Sequence, residues 1–173
     1  MNHPQSIRPH RRSLWLAVGR VLFPCALLAT MAFIFSNSAA VAEASNQASD
    51  TAQFALHTLL DRLSLSGLKA VLTVRTVRKL AHFAEYALLG FWWALCLRVY
   101  ARQPMRRLGW AAAACLLTAF ADEAIQYHTP GRSAQLSDVG LDLAGALCGL
   151  GGTLAVLWLG RKLYLCVKFR DKE

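Results

Sequence analysis

The sequence predicts an all-α fold, a polytopic membrane protein of four transmembrane helices with one further amphipathic helix on the outer (exofacial) side. Three observations predict it. Of 173 residues, 55% are apolar and 17% charged, against about 25% charged in an ordinary soluble domain, and the mean hydropathy is +0.35. Four apolar runs approach the roughly 20 residues a helix needs to cross a hydrocarbon core. Finally, although the formal net charge is +9, the basic residues form clusters that punctuate those runs rather than one patch. That pattern argues against nucleic acid as a partner and for an anionic lipid surface.

The chain reads as a single membrane domain over residues 1–173. The first span, Leu14–Phe35, follows Arg8, Arg11 and Arg12. Arg-rich residues 1–13, an apolar stretch from Val21 to Phe35 and Ala40-Val41-Ala42 also resemble a cleaved secretory signal. The apolar stretch is long for a signal, which favours a retained anchor. Residues 36–79 form the exofacial segment. It opens with a small, polar linker (SNSAAVAEASNQASD), continues as an amphipathic helix over Ala48–Leu63 with Phe54, Leu59, Leu60 and Leu63 at helical spacing, and breaks at Ser64-Leu65-Ser66-Gly67.

The second, third and fourth spans are Leu80–Tyr100, Leu108–Tyr127 and Val139–Gly160, followed by a cytoplasmic tail over 161–173. With both termini cytoplasmic, twelve Lys and Arg fall inside and six outside, as the positive-inside bias prefers. Arg75, Arg78 and Lys79 run against that bias and need a reason. Cys25, Cys96, Cys115 and Cys148 lie in apolar runs and Cys166 in the tail. No zinc spacing is present and neither an internal disulfide nor a disulfide-linked partner is expected.

An ionisable residue at mid-membrane costs about 2.5–3.5 kcal/mol on insertion scales, so such residues inside spans mark function. In the second span Arg78, His82 and Glu85 share one helical stripe, and Lys79, His82 and Tyr86 an overlapping one. The third span ends Asp122-Glu123-Ala124-Ile125-Gln126, and Thr129-Pro130-Gly131-Arg132 then reads as a tight turn holding Arg132 at the outer surface. The fourth begins with Asp138 and Asp142 one turn apart, and Gly145, Gly149 and Gly152 continue that face as a small-residue seam. The topology thus brings the acids, His82, Gln126 and Arg132 to the outer third of the bundle. The simpler readings are interfacial snorkelling for Arg78 and Lys79, an N-cap for Asp138, and aromatic-belt packing for Tyr86 and Tyr127.

These residues, Lys79-x-x-His82-Phe83-x-Glu85-Tyr86-x-x-Leu89-Gly90, Asp122-Glu123-x-x-Gln126, Pro130-Gly131-Arg132 and Ser137-Asp138, resemble the VanZ-like family of small bacterial membrane proteins. The likeness runs from Phe35-Ser36-Asn37-Ser38 to about Gly152. It implies a multi-pass protein of the bacterial plasma (inner) membrane. The family's best-known member is linked to low-level resistance to the glycopeptide teicoplanin, which implies action near cell-wall precursors. The likeness implies Asn where this chain has Asp142, an exchange that removes two donors and leaves either a more acidic site or an Asp142 protonated by burial.

The function expected is binding or processing of an exofacial, anionic lipid-linked or cell-wall substrate. His82, Glu85, Glu123 and Asp138 are the candidates for acid–base work. Lys79, Tyr86, Asp122, Gln126, Arg132 and Asp142 are the candidates for substrate binding, with Arg132 and Lys79 on phosphate or carboxylate. The cofactor is unknown. A divalent metal on His82, Glu123, Asp138 and Asp142 is a second reading, although His82-x-x-Glu85 is not the metalloprotease pattern. An ion-coupled carrier is a third, weakened by the apolar inner halves of the spans, and a non-catalytic scaffold is a fourth. No nucleophile elbow or nucleotide-binding glycine loop is present.

Overall fold

The structure, a computed structural model, describes residues 9–101 and 104–170, with side chains over 16–101 and 107–168. Arg8, Arg102 and Lys172, and the side chains of Arg11, Arg12, Arg106 and Arg170, lie outside those residues, so the expected flanking charge clusters fall largely there. Five α-helices follow one another: α1 (Pro9–Ala39), α2 (Ala42–Arg62), α3 (Val74–Tyr100), α4 (Pro104–His128) and α5 (Leu136–Arg170), with a 3₁₀ turn at Ser66–Ala70 between α2 and α3. No strand occurs among the described residues. Four helices are long and apolar enough to cross a membrane, over Leu16–Ala39, Val74–Tyr100, Arg107–His128 and Leu136–Lys168.

The helices run past the apolar stretches that define the spans. The expected linker after Phe35 is helical instead, for α1 continues to Ala39 and α2 starts at Ala42. Alanine, Glu and Gln in that stretch favour helix, and the Ala42 amide donates to the Pro130 carbonyl at 3.3 Å, fixing where α2 begins. At the other end, α5 continues ten residues past Gly160. Its apolar stretch Leu136–Lys168 has 33 residues, which at 1.5 Å each span about 50 Å, well over the roughly 30 Å hydrocarbon core. Trp158 and Lys162 meet in this stretch, the ammonium 4.2 Å from the ring centre.

Helix α3 is the hub, packed along most of its length on α5 and also touching α1, α2 and α4. The α3–α5 contact is backbone on backbone. A side chain at Gly145 would strike the Phe83 carbonyl, one at Gly149 the Ala87 carbonyl, and one at Gly90 the Ala146 carbonyl. Residue numbers rise together along this seam, so the two helices are parallel and both start at the same end of the bundle. Gly152 is not part of it, since nothing lies within 4 Å of its would-be Cβ. The seam's third glycine comes from α3, where Gly90 does what the sequence assigns to Gly152. Around it, Leu27, Ile34, Tyr86, Leu89, Cys115 and Ala146 form the principal apolar core.

Helix α2 turns its two faces opposite to the usual way. Its small and polar residues face the bundle, with Ser49 buried and Gln53 and His57 both on the Leu72 carbonyl at 2.6 and 3.2 Å. Its large apolar residues point away, with Phe54 76% exposed. Such a helix suits the lipid interface, its apolar face in the acyl boundary. Ser64, with φ of 57°, ends it at the break expected from Ser64-Leu65-Ser66-Gly67, and Thr73 caps α3 by accepting from the Thr76 amide at 3.2 Å.

Candidate functional site

The polar site lies at the end of the bundle where α3 and α5 begin and α1 and α4 finish. His82, Asp122 and Asp142 sit six to eight residues in from those helix ends, about 9–12 Å at 1.5 Å per residue. His82 Nδ1 stands 3.8 Å from Asp122 Oδ2 and 3.8 Å from Asp142 Oδ1. The two aspartates are 0% and 1% exposed. Burying carboxylates is costly unless charge or hydrogen bonds meet them, and one imidazolium balances only one of the two.

Hydrogen bonds tie Asp122 and the residues flanking the trio to one another and to α1. Gln126 Nε2 donates to Asp122 Oδ2 at 3.1 Å and to Ser38 Oγ at 3.3 Å. Thr129 Oγ1 donates to the Ser38 carbonyl at 3.1 Å. On the other flank Asn37 Nδ2 donates to Glu85 Oε1 at 2.8 Å. The last turn of α1 therefore belongs to the site through Asn37 and Ser38. Sequence reasoning assigns neither a role, although both lie in the segment that carries the family likeness.

The turn after α4 positions the cation. The Arg132 amide donates to the Thr129 carbonyl at 3.2 Å, Pro130 stands second and Gly131 third with φ of +76°, the signature of a type II turn. Arg132 is half-buried rather than free at the surface. Its Nη2 donates to Ser45 Oγ at 2.6 Å, and Arg78 Nη2 donates to Asn46 Oδ1 on the next residue of α2. Burial, and then the nearby Arg78, draw the Arg132 guanidinium below its usual pKa, so an anion placed there would be welcome. Arg78, which the expected topology places where the charge bias disfavours a cation, is thus engaged by α2.

A pocket of about 150 Å³ opens above the trio, walled by the cations Arg75, Arg78, Lys79 and Arg132 and reaching His82 and Asp142. Among the expected site residues, Lys79, His82, Gln126, Arg132, Asp138 and Asp142 line it. Lys79 and Asp138 pair at its lip at 3.0 Å. Asp122 does not line the pocket but lies behind His82, 3.8 Å from its Nδ1. Glu123 is turned aside, its Oε1 accepting from the Gln135 amide and so fastening the loop before α5. Glu85 faces the α1 side with Asn37. Tyr86 does not line the pocket: it is fully buried among core residues such as Leu89 and Cys115.

Two expectations change accordingly. The carboxylates beside His82 are Asp122 and Asp142, not Glu85 or Glu123. The residues whose ligand atoms gather are His82, Asp122 and Asp142, all within 4.8 Å of one another, whereas Glu123 and Asp138 are engaged elsewhere. Helical spacing puts Glu123 on the same helix end as Asp122 but cannot say which of two adjacent acids turns inward.

Fold and site together define a small polytopic helical membrane protein with a small polar pocket of about 150 Å³ at one end of its bundle. The VanZ/LLP1 family model matches residues 22–159, and the chain belongs to that family, the one its motifs resemble. No curated protein and no solved structure matches the chain.

Proposed function

We propose that this VanZ-like protein lies in the bacterial plasma membrane with its polar site facing outward, where it binds or processes an anionic lipid-linked or cell-wall substrate. The observation that carries this reading is the layering of the pocket, with four cations around its wall and an imidazole between two carboxylates at its base. The wall suits phosphate or carboxylate, Arg as a fork and Lys as a point charge. The base suits proton transfer, with His82 as the exchanging group and Asp122 and Asp142 orienting it. A separation of 3.8 Å exceeds a hydrogen bond, and such contacts commonly tighten when substrate arrives. The excess of Lys and Arg on the opposite side of the spans supports the outward orientation. Handling of a wall precursor there would connect the protein to glycopeptide resistance.

The test is thermal unfolding of detergent-purified protein with cell-wall lipid precursors, comparing wild type with Arg132→Ala and Glu123→Gln. A ligand at a hundred times its dissociation constant adds about 2.7 kcal/mol to folded stability. Stabilisation in the wild type that Arg132→Ala loses while still folded is the expected result. Glu123→Gln keeps an acceptor for the Gln135 amide and should retain binding. No shift with any precursor would sink the reading.

A second reading adds a divalent cation, favoured by the convergence of His82, Asp122 and Asp142. One imidazole and two carboxylates suit Mg²⁺, Mn²⁺ or Zn²⁺. The ion would balance the surplus negative charge of the trio and supply a Lewis acid.

A further inference from the structure

Two gaps in the protein meet at one pair of guanidiniums. The polar pocket and a second gap of about 340 Å³ have Arg78, His82 and Arg132 as common wall. The second gap runs between Phe33 of α1, Val77 and Ala81 of α3, and an alanine face of α2 formed by Ala44, Ala48 and Ala52. Its size is within the roughly 300–1,000 Å³ of ligand sites. The alanines recur every fourth residue, so α2 lies across the gap without filling it. Phe33 on its flank is more than half exposed, on the surface a membrane-spanning α1 offers to lipid.

At the junction, each arginine commits one nitrogen to α2, Arg78 to Asn46 and Arg132 to Ser45. Arg78 Nε and Arg132 Nε and Nη1 are buried and find no hydrogen-bond partner among the described residues. Buried cationic donors left unmet are costly, and an anionic oxygen group is what such a set recognises. The one acid in the second gap, Glu85, is held by Asn37, so an anion is favoured at the arginine end.

We propose that this junction seats the phosphate of a membrane lipid between Arg78 and Arg132, with the rest of the headgroup beside His82 and a hydrocarbon chain along the alanine-lined gap. The proposal rests on the reading of the polar site given above. It adds that the substrate is amphiphilic and reaches His82 sideways from the bilayer, between α1 and α2.

Four probes separate the parts: dioctanoylphosphatidylglycerol, dioctanoylglycerol, glycerol 3-phosphate and inorganic phosphate, each titrated against the unfolding temperature of the purified full chain. Phosphatidylglycerol should bind at least about tenfold more tightly than glycerol 3-phosphate, a gain that burial of about two methylenes would supply. It should also bind more tightly than dioctanoylglycerol. Ala48→Leu, an exposed position that fills the gap, should remove the lipid's advantage and leave glycerol 3-phosphate unchanged. Arg78→Ala should make phosphatidylglycerol no better than dioctanoylglycerol. If Arg78→Ala does not fold, Arg78→Lys, which keeps a charge and loses the fork, should show a smaller loss in the same direction.

Equal binding of glycerol 3-phosphate and phosphatidylglycerol, with Ala48→Leu indifferent, would overturn the lipid channel while leaving a polar site for a soluble anion. Equal binding of phosphatidylglycerol and dioctanoylglycerol would overturn the arginine seat. No response to any anion in the wild type would remove both the inference and the reading beneath it.

Discussion

At the scale of single residues, the aspartate at 142 decides the character of the site. It is 1% exposed, and both its oxygens lack hydrogen-bond partners among the described residues, with Asp122 close by across His82. An amide at this position would remove a like charge from a dry site. Asp142→Asn should therefore raise the stability of the unliganded protein by about 1–3 kcal/mol, read as an increase in unfolding temperature. If the trio holds a divalent ion, the same variant should lose most of the stabilisation that Mn²⁺ gives the wild type. A lower unfolding temperature without metal would mean that the carboxylate is better satisfied than the structure indicates. Much of this was legible in the sequence: ionisable residues inside apolar runs named His82, Asp122 and Asp142, helical spacing added Gln126, and the Pro130-Gly131 turn added Arg132. Spacing could not tell Glu123 from Asp122, nor show that Tyr86 faces the core, because both choices depend on neighbouring helices. Arg78 lies on the right stripe, but snorkelling explains such a cation equally well until Asn46 is seen beside it.

At the scale of the element, the α3–α5 seam gives the sharpest contrast. A valine at 149 would drive the α5 backbone off Ala87, whereas a valine at 152 meets nothing. Overpacking costs about 1–3 kcal/mol even where side chains can move, and here the obstacle is backbone. Gly149→Val should thus strongly reduce the folded fraction seen by size-exclusion in detergent, while Gly152→Val stays near wild type. Similar behaviour of the two variants would refute the register of the pair. The periodicity of small residues announced a seam on α5 but not its partner or its extent, because a helix carries glycines on open faces as well. The inverted orientation of α2 was hidden for a related reason. Its apolar residues mark a face, and only the presence of bilayer on one side and a polar site on the other determines where that face turns.

At the scale of the whole molecule, alternating spans were legible from composition and length alone, and among the described residues four helices are long and apolar enough to cross a membrane. Their orientation is a separate prediction. An impermeant maleimide should modify Ser133→Cys in intact spheroplasts and reach Cys166 only after lysis, and the reverse pattern would invert the proposed topology. The backbone seam bears on motion as well as on packing. His82 lies next to Phe83 and Asp142 one turn from Gly145, so the contact of Phe83 with Gly145 ties the imidazole and this carboxylate to a rigid helix pair. Adaptation to a ligand then falls to α2 and the 129–135 turn, which are joined to the pair mainly through arginine and a few amides. Amide hydrogen exchange should therefore slow in those two segments when ligand binds, and remain slow and unchanged along residues 83–90 and 145–150. The protein would then grip its substrate as a fixed jaw and a moving one, with specificity residing in the moving half.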